Sequence, residues 1–398
     1  MARRGVRIID AELHLLEPYD GWAERLPEPW RSRTRITAPP GGYLDTGHLG
    51  IDLDGRGFPV PEVGEAHGPG RLVYRQGHRR WKEAPELARL RVEATPAAWL
   101  EGMDMDGIDV ALLTPTLNLK LLAIDGVAPE HAAALCRAYN DYAAEFAGHD
   151  PGRFKFWGWL PRQAPEQAAE EARRCVEELG AVGVAMTTAG VDQTVLTDDA
   201  FEPLWAEIEG LGVPLGLHLS GLCQVADDVG HRYQGHPRTE VVRMAVRLPF
   251  YSQTALAELI LGGVLDAHPG LRVVLQEANV AWLPWLLWRM DEKWSTYGPD
   301  QDYELTLAPS GYFARQCFAV ADADESVARL AIDHLGDDNL LWSSDFPHHD
   351  STFPGASDTF LDLPGISAES KRKILWDNGA RLFALADAPA APADVNST

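Results

Sequence analysis

At 398 residues, 45% of them hydrophobic and 24% charged, the chain has the composition of a globular protein with a full core, in one large domain with insertions or two smaller ones. A formal net charge of −24 sets it against phosphate backbones and anionic bilayers, so nucleic acid and membranes are not expected partners and a small molecule is. Cys136, Cys175, Cys223 and Cys317 form no CxxC, a pattern of reduced cytoplasmic thiols, and the opening MARRGVRIIDAELH reads as neither signal peptide nor membrane span.

Short apolar runs without clean alternation predict buried strands at 6–9, 110–113, 182–186, 213–217, 271–275 and 339–342. The stretch 27–96 is rich in Gly, Pro and Arg and lacks a sustained period. It reads as an insertion after the first strand, folded over as a lid, because long irregular loops in compact domains are usually functional. Helical patterns cover 164–179, stopped by Gly180, then 198–211, closed by Gly212, and 281–290. Strand alternating with helix over most of the chain implies a parallel sheet, and the (β/α)₈ or TIM barrel is the expected fold. Residues 1–386 are expected to form this one domain, and 387–398, biased to Ala and Pro, a disordered tail.

Acidic and His residues close several of these strands. Glu12 and His14 end IIDAELH, His218 ends VPLGLH, Glu277 ends LRVVLQE, and Asp345 ends NLLWSSD. In a (β/α)₈ barrel the strand C-termini open on one face, so residues more than 300 positions apart converge there. Glu12 and His14, two apart on one strand, point the same way. Imidazoles with carboxylates suit Zn²⁺, Mn²⁺ or Fe²⁺, and such an ion lowers the pKa of a bound water or polarises a substrate oxygen. Taken singly, E-x-H recurs by chance, a buried His is commonly a hydrogen-bonded core residue, and Ser343–Ser344–Asp345 can be only a turn. The joint placement at strand ends is what points to a metal site.

From these segments outward the chain resembles the amidohydrolase-related family that includes aminocarboxymuconate-semialdehyde decarboxylase and the γ-resorcylate decarboxylases. The resemblance runs through DAELHLLEP, MDMDGIDVALLTPTL at 103–117, LGVPLGLHLSG at 211–221, LGGVLDAHPGLRVVLQEANVAWLPWLLWRMDE at 261–292, WSSDFPHHDSTFPG at 342–355 and KILWDNGARLFAL at 373–385. It implies a distorted (β/α)₈ barrel with one divalent ion, Zn²⁺ first and Mn²⁺ second, held by Glu12, His14, His218 and Asp345. It also implies lysis of C–C or C–N bonds, and family members are often dimers, so a homodimer or higher homo-oligomer is the expected assembly. One departure stands out: decarboxylating members carry a general acid/base His where this chain has Glu277. A free carboxylate, with a pKa of about 4.3, is a weaker acid/base match near neutrality.

The leading expectation is therefore a metal-dependent hydrolase acting on a C–N or C–C bond of a small carboxylated or carbonyl-bearing substrate. Asp345 would accept a proton, with Glu277 or His348 positioning the leaving group. The alternatives are a non-oxidative decarboxylase and a barrel that binds a ligand without turning it over. His348 is expected to orient water, substrate or Asp345, and His349 to be solvated. Arg71, Arg75, Arg79 and Arg80 with His67 and His78 form a basic cluster that could clamp a carboxylate. Arg315–Gln316 is expected to pair structurally, and Trp282, Trp285, Leu286 and Asn378 to pack or cap helices. No G-x-G-x-x-G or P-loop follows a strand, which leaves nucleotide chemistry unsupported.

Overall fold

A computed structural model describes residues 3–37, 50–59, 84–188, 191–219, 239–348 and 351–385. Eight parallel strands follow one another around a single sheet: β1 (Ile9–His14), β2 (Val110–Thr114), β3 (Phe154–Trp159), β4 (Gly183–Thr187), β5 (Leu215–His218), β6 (Val273–Gln276), β7 (Cys317–Asp322) and β8 (Leu340–Ser343). The ring closes where the His14 N–H donates to the Phe346 carbonyl at 2.8 Å, just past β8. This is the expected (β/α)₈ barrel. Helices between the strands cover its outside, and Pro96, Pro129, Pro165 and Pro309 open four of them, where a missing N–H does no harm. Gly212, at φ 67°, closes the helix Glu202–Leu211.

Six of the eight strands fall on or beside the expected runs. β3 and β7 were not among them, and β1 begins where the first run was expected to end. That shift matters, because it places Asp10, Glu12 and His14 inside the strand as an inward row. The helices expected at 164–179, 198–211 and 281–290 are Pro165–Glu177, Glu202–Leu211 and Leu283–Tyr297.

The described part of 27–96 is more regular than expected. Thr34–Thr37, Gly50–Leu53 and Arg56–Pro59 form a three-stranded antiparallel sheet, followed by the helix Pro85–Glu93. His131, fully buried on the helix Pro129–Ala147, ties this sheet to the barrel's wall. One ring nitrogen meets Thr34 Oγ1 at 2.8 Å, the other meets Asp54 Oδ2 at 3.1 Å, and Trp30 stacks on the ring. The basic cluster of Arg71, Arg75, Arg79, Arg80, His67 and His78 lies outside the described residues, as do His349, Cys223 and the tail 387–398. Cys136, Cys175 and Cys317 are buried free thiols.

Trp285 departs from the packing expected of it: it is 57% exposed, while Trp282 and Leu286 rest partly buried on the core. Asn378 packs as expected, its amide donating to the carbonyls of Asp337 and Leu340. Gln316 donates to the carbonyls of His268 and Leu271, and Arg315 to that of Leu265. Both precede β7, at the opposite end from the strand C-termini, and neither reaches the site. Among the described residues no helix is long and apolar enough to cross a membrane.

Candidate metal centre

The expected residues meet at the C-terminal mouth of the barrel. Glu12, His14, His218 and Glu277 each offer an atom within 4.8 Å of the others, and His14 joins Asp345 and His348 in a second group of the same kind. His218 Nε2 approaches Glu12 Oε1 at 2.5 Å and Glu277 Oε2 at 3.4 Å. His14 Nε2 lies 3.4 Å from Glu12 Oε1 and 3.6 Å from Asp345 Oδ1. Glu12, His14 and His218 are all but completely buried, whereas Glu277, Asp345 and His348 are roughly a quarter open, facing the mouth.

The outer contacts explain why these atoms point inward. His14 Nδ1 donates to the Pro115 carbonyl at 2.9 Å and His218 Nδ1 to the Leu219 carbonyl at 2.5 Å. A carbonyl can only accept, so each Nδ1 carries a proton and each ring turns its Nε2 to the centre. The Glu277 N–H donates to Glu12 Oε2 at 2.9 Å, leaving Oε1 as the free lobe. Glu12 Oε1, His14 Nε2 and His218 Nε2 are buried with no partner in hydrogen-bond geometry. Buried acceptors crowded this closely are costly unless a proton or a cation lies between them. Imidazole and carboxylate donors steered by outer hydrogen bonds fit a divalent ion.

The electrostatics agree. Burial opposes ionisation of Glu12, but the two imidazoles more than offset it and hold the carboxyl well below the usual range. Burial and the nearby His348 push His14 down to about 3. Burial would lower His218 too, yet Glu12 prevails and raises it to about 9. In the protein alone a proton on His218 takes the cation's part.

Asp345 and Glu277 leave their strands with φ of 55° and 45°, a left-handed turn uncommon outside glycine and frequent at functional sites. His348 Nδ1 lies 2.7 Å from Asp345 Oδ1, and its ring rests 3.9 Å from that of His14. His348 thus lies against both Asp345 and the His14 ring. Glu277 holds Glu12 through its backbone and faces the centre with its side chain.

Sequence reasoning missed two acids. Asp10, fully buried, accepts from the Ser344 N–H, the Ser344 hydroxyl and the Glu12 N–H, binding β1 to the turn after β8. A D-x-E-x-H row was the available signal. Asp322 ends β7 and accepts from Asn279 Nδ2 at 2.6 Å. It shares a cavity of about 110 Å³ with Glu277, Asn279, Asp324, Ser343 and Asp345. A larger hollow of about 530 Å³, lined by Arg25, Arg137 and Glu171 among others, holds none of the candidate residues.

Burial, and then Glu325, raise the Asp322 carboxyl to about 7. A carboxyl raised above its unfolded value of about 3.9 favours folding while protonated, and that advantage is lost as pH climbs from about 4 through 7. Asp322→Asn should escape the loss. Its melting temperature is expected to exceed the wild type's by a few degrees at pH 8 and to converge on it near pH 4. A constant offset across that range would assign the effect to packing.

A buried imidazole–carboxylate cluster at the mouth of a parallel barrel defines the class of metal-dependent barrel enzymes. The chain belongs to the amidohydrolase family, whose model matches residues 9–385. Gamma-resorcylate decarboxylase of Rhodococcus jostii (strain RHA1) is 32% identical over 289 residues, covering 68% of this chain and 83% of the relative. A 2,6-dihydroxybenzoate decarboxylase, solved with 2,6-dihydroxybenzoate, superposes with a TM-score of 0.61 at 28% identity, over 72% of this chain and 87% of that one. 5-Carboxyvanillate decarboxylase from Sphingomonas paucimobilis superposes with a TM-score of 0.61 at 25% identity, over 72% and 82%.

Proposed function

We propose that this protein is a divalent-metal-dependent, non-oxidative decarboxylase of a small aromatic hydroxy acid, with Glu12, His14, His218 and Asp345 holding the ion. The observation that carries this reading is the similarity to decarboxylases over more than two thirds of the chain, joined to a mouth where Glu12, His14, His218 and Glu277 form one group and His14, Asp345 and His348 a second that shares His14. It reverses the order expected from Glu277 alone, which favoured hydrolysis. Zn²⁺ and Mn²⁺ both suit two imidazoles with two carboxylates. When bound, the ion supplies Lewis-acid anchorage for the substrate's carboxylate and an adjacent oxygen.

The chain's own residues supply the rest. The bond between ring carbon and carboxylate breaks, its electron pair stays on the ring, and that carbon needs one proton. Glu277, a quarter open at the mouth, delivers the proton from its carboxyl oxygen. His348 fixes the orientation of Asp345 through the 2.7 Å contact, and the Pro115 and Leu219 carbonyls fix the two imidazoles.

The test is an assay of protein loaded with Zn²⁺ or Mn²⁺ on 2,6-dihydroxybenzoate, 5-carboxyvanillate and related hydroxybenzoates, beside amide and C–C hydrolase substrates. Metal-dependent CO₂ release from an aromatic acid is the expected result. Turnover of the hydrolase substrates with no CO₂ from any acid would restore the hydrolytic reading.

A further inference from the structure

The wall of the barrel mouth beside His218 carries polar atoms for which the fold has no use. Trp157 donates its indole N–H to the Ala11 carbonyl across the barrel interior, so it points inward. Trp159, two residues on, points the same way one layer nearer the mouth, and its ring meets His218 at 6.0 Å between centroids. Register carries this layer around the barrel: Trp159 stands beside Ala185, Thr187 beside His218, and His218 beside Gln276. The space is shaped for it, since a Cβ on Gly216 would come within 2.5 Å of the Gln276 amide oxygen.

Trp159, Thr187 and Gln276 are at most 2% exposed. Trp159 Nε1, Thr187 Oγ1 and both amide atoms of Gln276 have no hydrogen-bond partner among the described residues. Buried polar groups are normally satisfied, and a cluster of exceptions calls for a reason. Their surroundings differ in charge from the rest of the mouth. On the β6–β8 side the cavity is walled by Glu277, Asp322 and Asp345. On the β3–β4 side lies the buried guanidinium of Arg162, bonded to the Thr187 and Thr188 carbonyls, with Glu258 4.0 Å away.

We propose that Trp159 and Thr187 are positioning residues for the substrate's carboxylate, which accepts from the indole N–H and the threonine hydroxyl. The acid then lies with its carboxylate toward β3–β4 and its hydroxyl-bearing ring toward the acidic wall. This orientation rests on the decarboxylase reading. It puts the ring carbon that must gain a proton on the side of Glu277, and it selects acids whose ring substituents donate hydrogen bonds over those with a second anionic group.

Binding distinguishes the two levels of the argument. Calorimetric titration of metal-loaded wild type, Trp159→Phe and Thr187→Val would use the tightest of a panel of hydroxybenzoates, 2,6-dihydroxybenzoate first, and the phenol formed from it by loss of CO₂. Each variant is expected to bind the acid roughly tenfold more weakly, as for one lost hydrogen bond to a charged group. Each should bind the phenol within about twofold of wild type, by the same principle, and retain its metal. Thr187→Ser, which keeps the hydroxyl, should restore affinity for the acid. Unchanged affinity for the acid, or equal losses for acid and phenol, overturns the proposal alone. A metal-loaded wild type that binds no member of the panel overturns the decarboxylase reading and the orientation with it.

Discussion

The double variant His14→Ala, Asp345→Ala is expected to purify without Zn or Mn where the wild type carries about one equivalent per chain, a stoichiometry that follows from a single four-ligand set. Activity should fall on the order of 10³-fold or more, since Lewis-acid anchorage contributes several kcal/mol and each 1.4 kcal/mol is a factor of ten. The geometry gives the reason. His14 Nε2 and Asp345 Oδ1 are 3.6 Å apart across the junction of β1 and the turn after β8, so the two truncations strip one side of the centre. Glu12 and His218 would remain, still 2.5 Å apart, with Glu277 beside them, but losing half of the proposed ligand set leaves a weak site for either ion. Elemental analysis decides it, with circular dichroism to confirm that the variant is folded. A wild type that stays metal-free after incubation with Zn²⁺ and Mn²⁺ would sink the catalytic reading and promote a ligand-binding barrel.

Glu277→Gln should separate chemistry from assembly. Its backbone N–H, which holds Glu12 Oε2 at 2.9 Å, survives the substitution, and glutamine keeps the side chain's shape. Metal content and KM should therefore stay near wild type. The amide has no acidic proton to deliver, so kcat should drop by about 10²- to 10⁴-fold, the usual contribution of a positioned general acid. A kcat within a few-fold of wild type would remove Glu277 as the proton source and pass the role to Asp345 with His348. Steady-state kinetics on whichever acid releases CO₂ supplies the comparison.

Much of this centre could be read from the sequence, for a specific reason. Strand C-termini share one face of a parallel barrel, so Glu12, His14, His218 and Asp345 could be brought together from three short runs with no knowledge of their packing. Asp10 escaped because an apolar run marks a strand only while it stays apolar. β1 continues through Asp10, Glu12 and His14, where function has replaced hydrophobic residues with polar ones. β3, FKFWGW, mixes lysine with aromatics and carries no Val or Ile run, so Trp159 was not seen as a strand end. Asp322 was lost with β7, CFAVAD, which is apolar but half Ala and Asp, residues depleted in strands. The small sheet at 34–59 is made of four-residue strands, too short to show a period. The unpartnered atoms of Trp159, Thr187 and Gln276 could not be read at all. A hydrogen bond left unmade is a property of neighbours, and residue type does not reveal it.

The closure of the barrel between its first and last strands also constrains how the molecule is made. Glu12 and His14 emerge at the start of synthesis, but the turn that carries Asp345, and the Ser344 that clasps Asp10, are translated more than 300 residues later. At elongation rates of about 5–20 residues per second, the acidic row of β1 waits many seconds for its neighbour. Through that interval β1 can pair with β2 but has an open edge on its other side, the kind of edge that invites pairing with another chain. Asp10, Glu12 and His14 are charged or polar along that strand, and a strand so furnished is a poor template for a stray partner. The same residues that assemble the centre thus protect the unfinished chain until its last strand arrives.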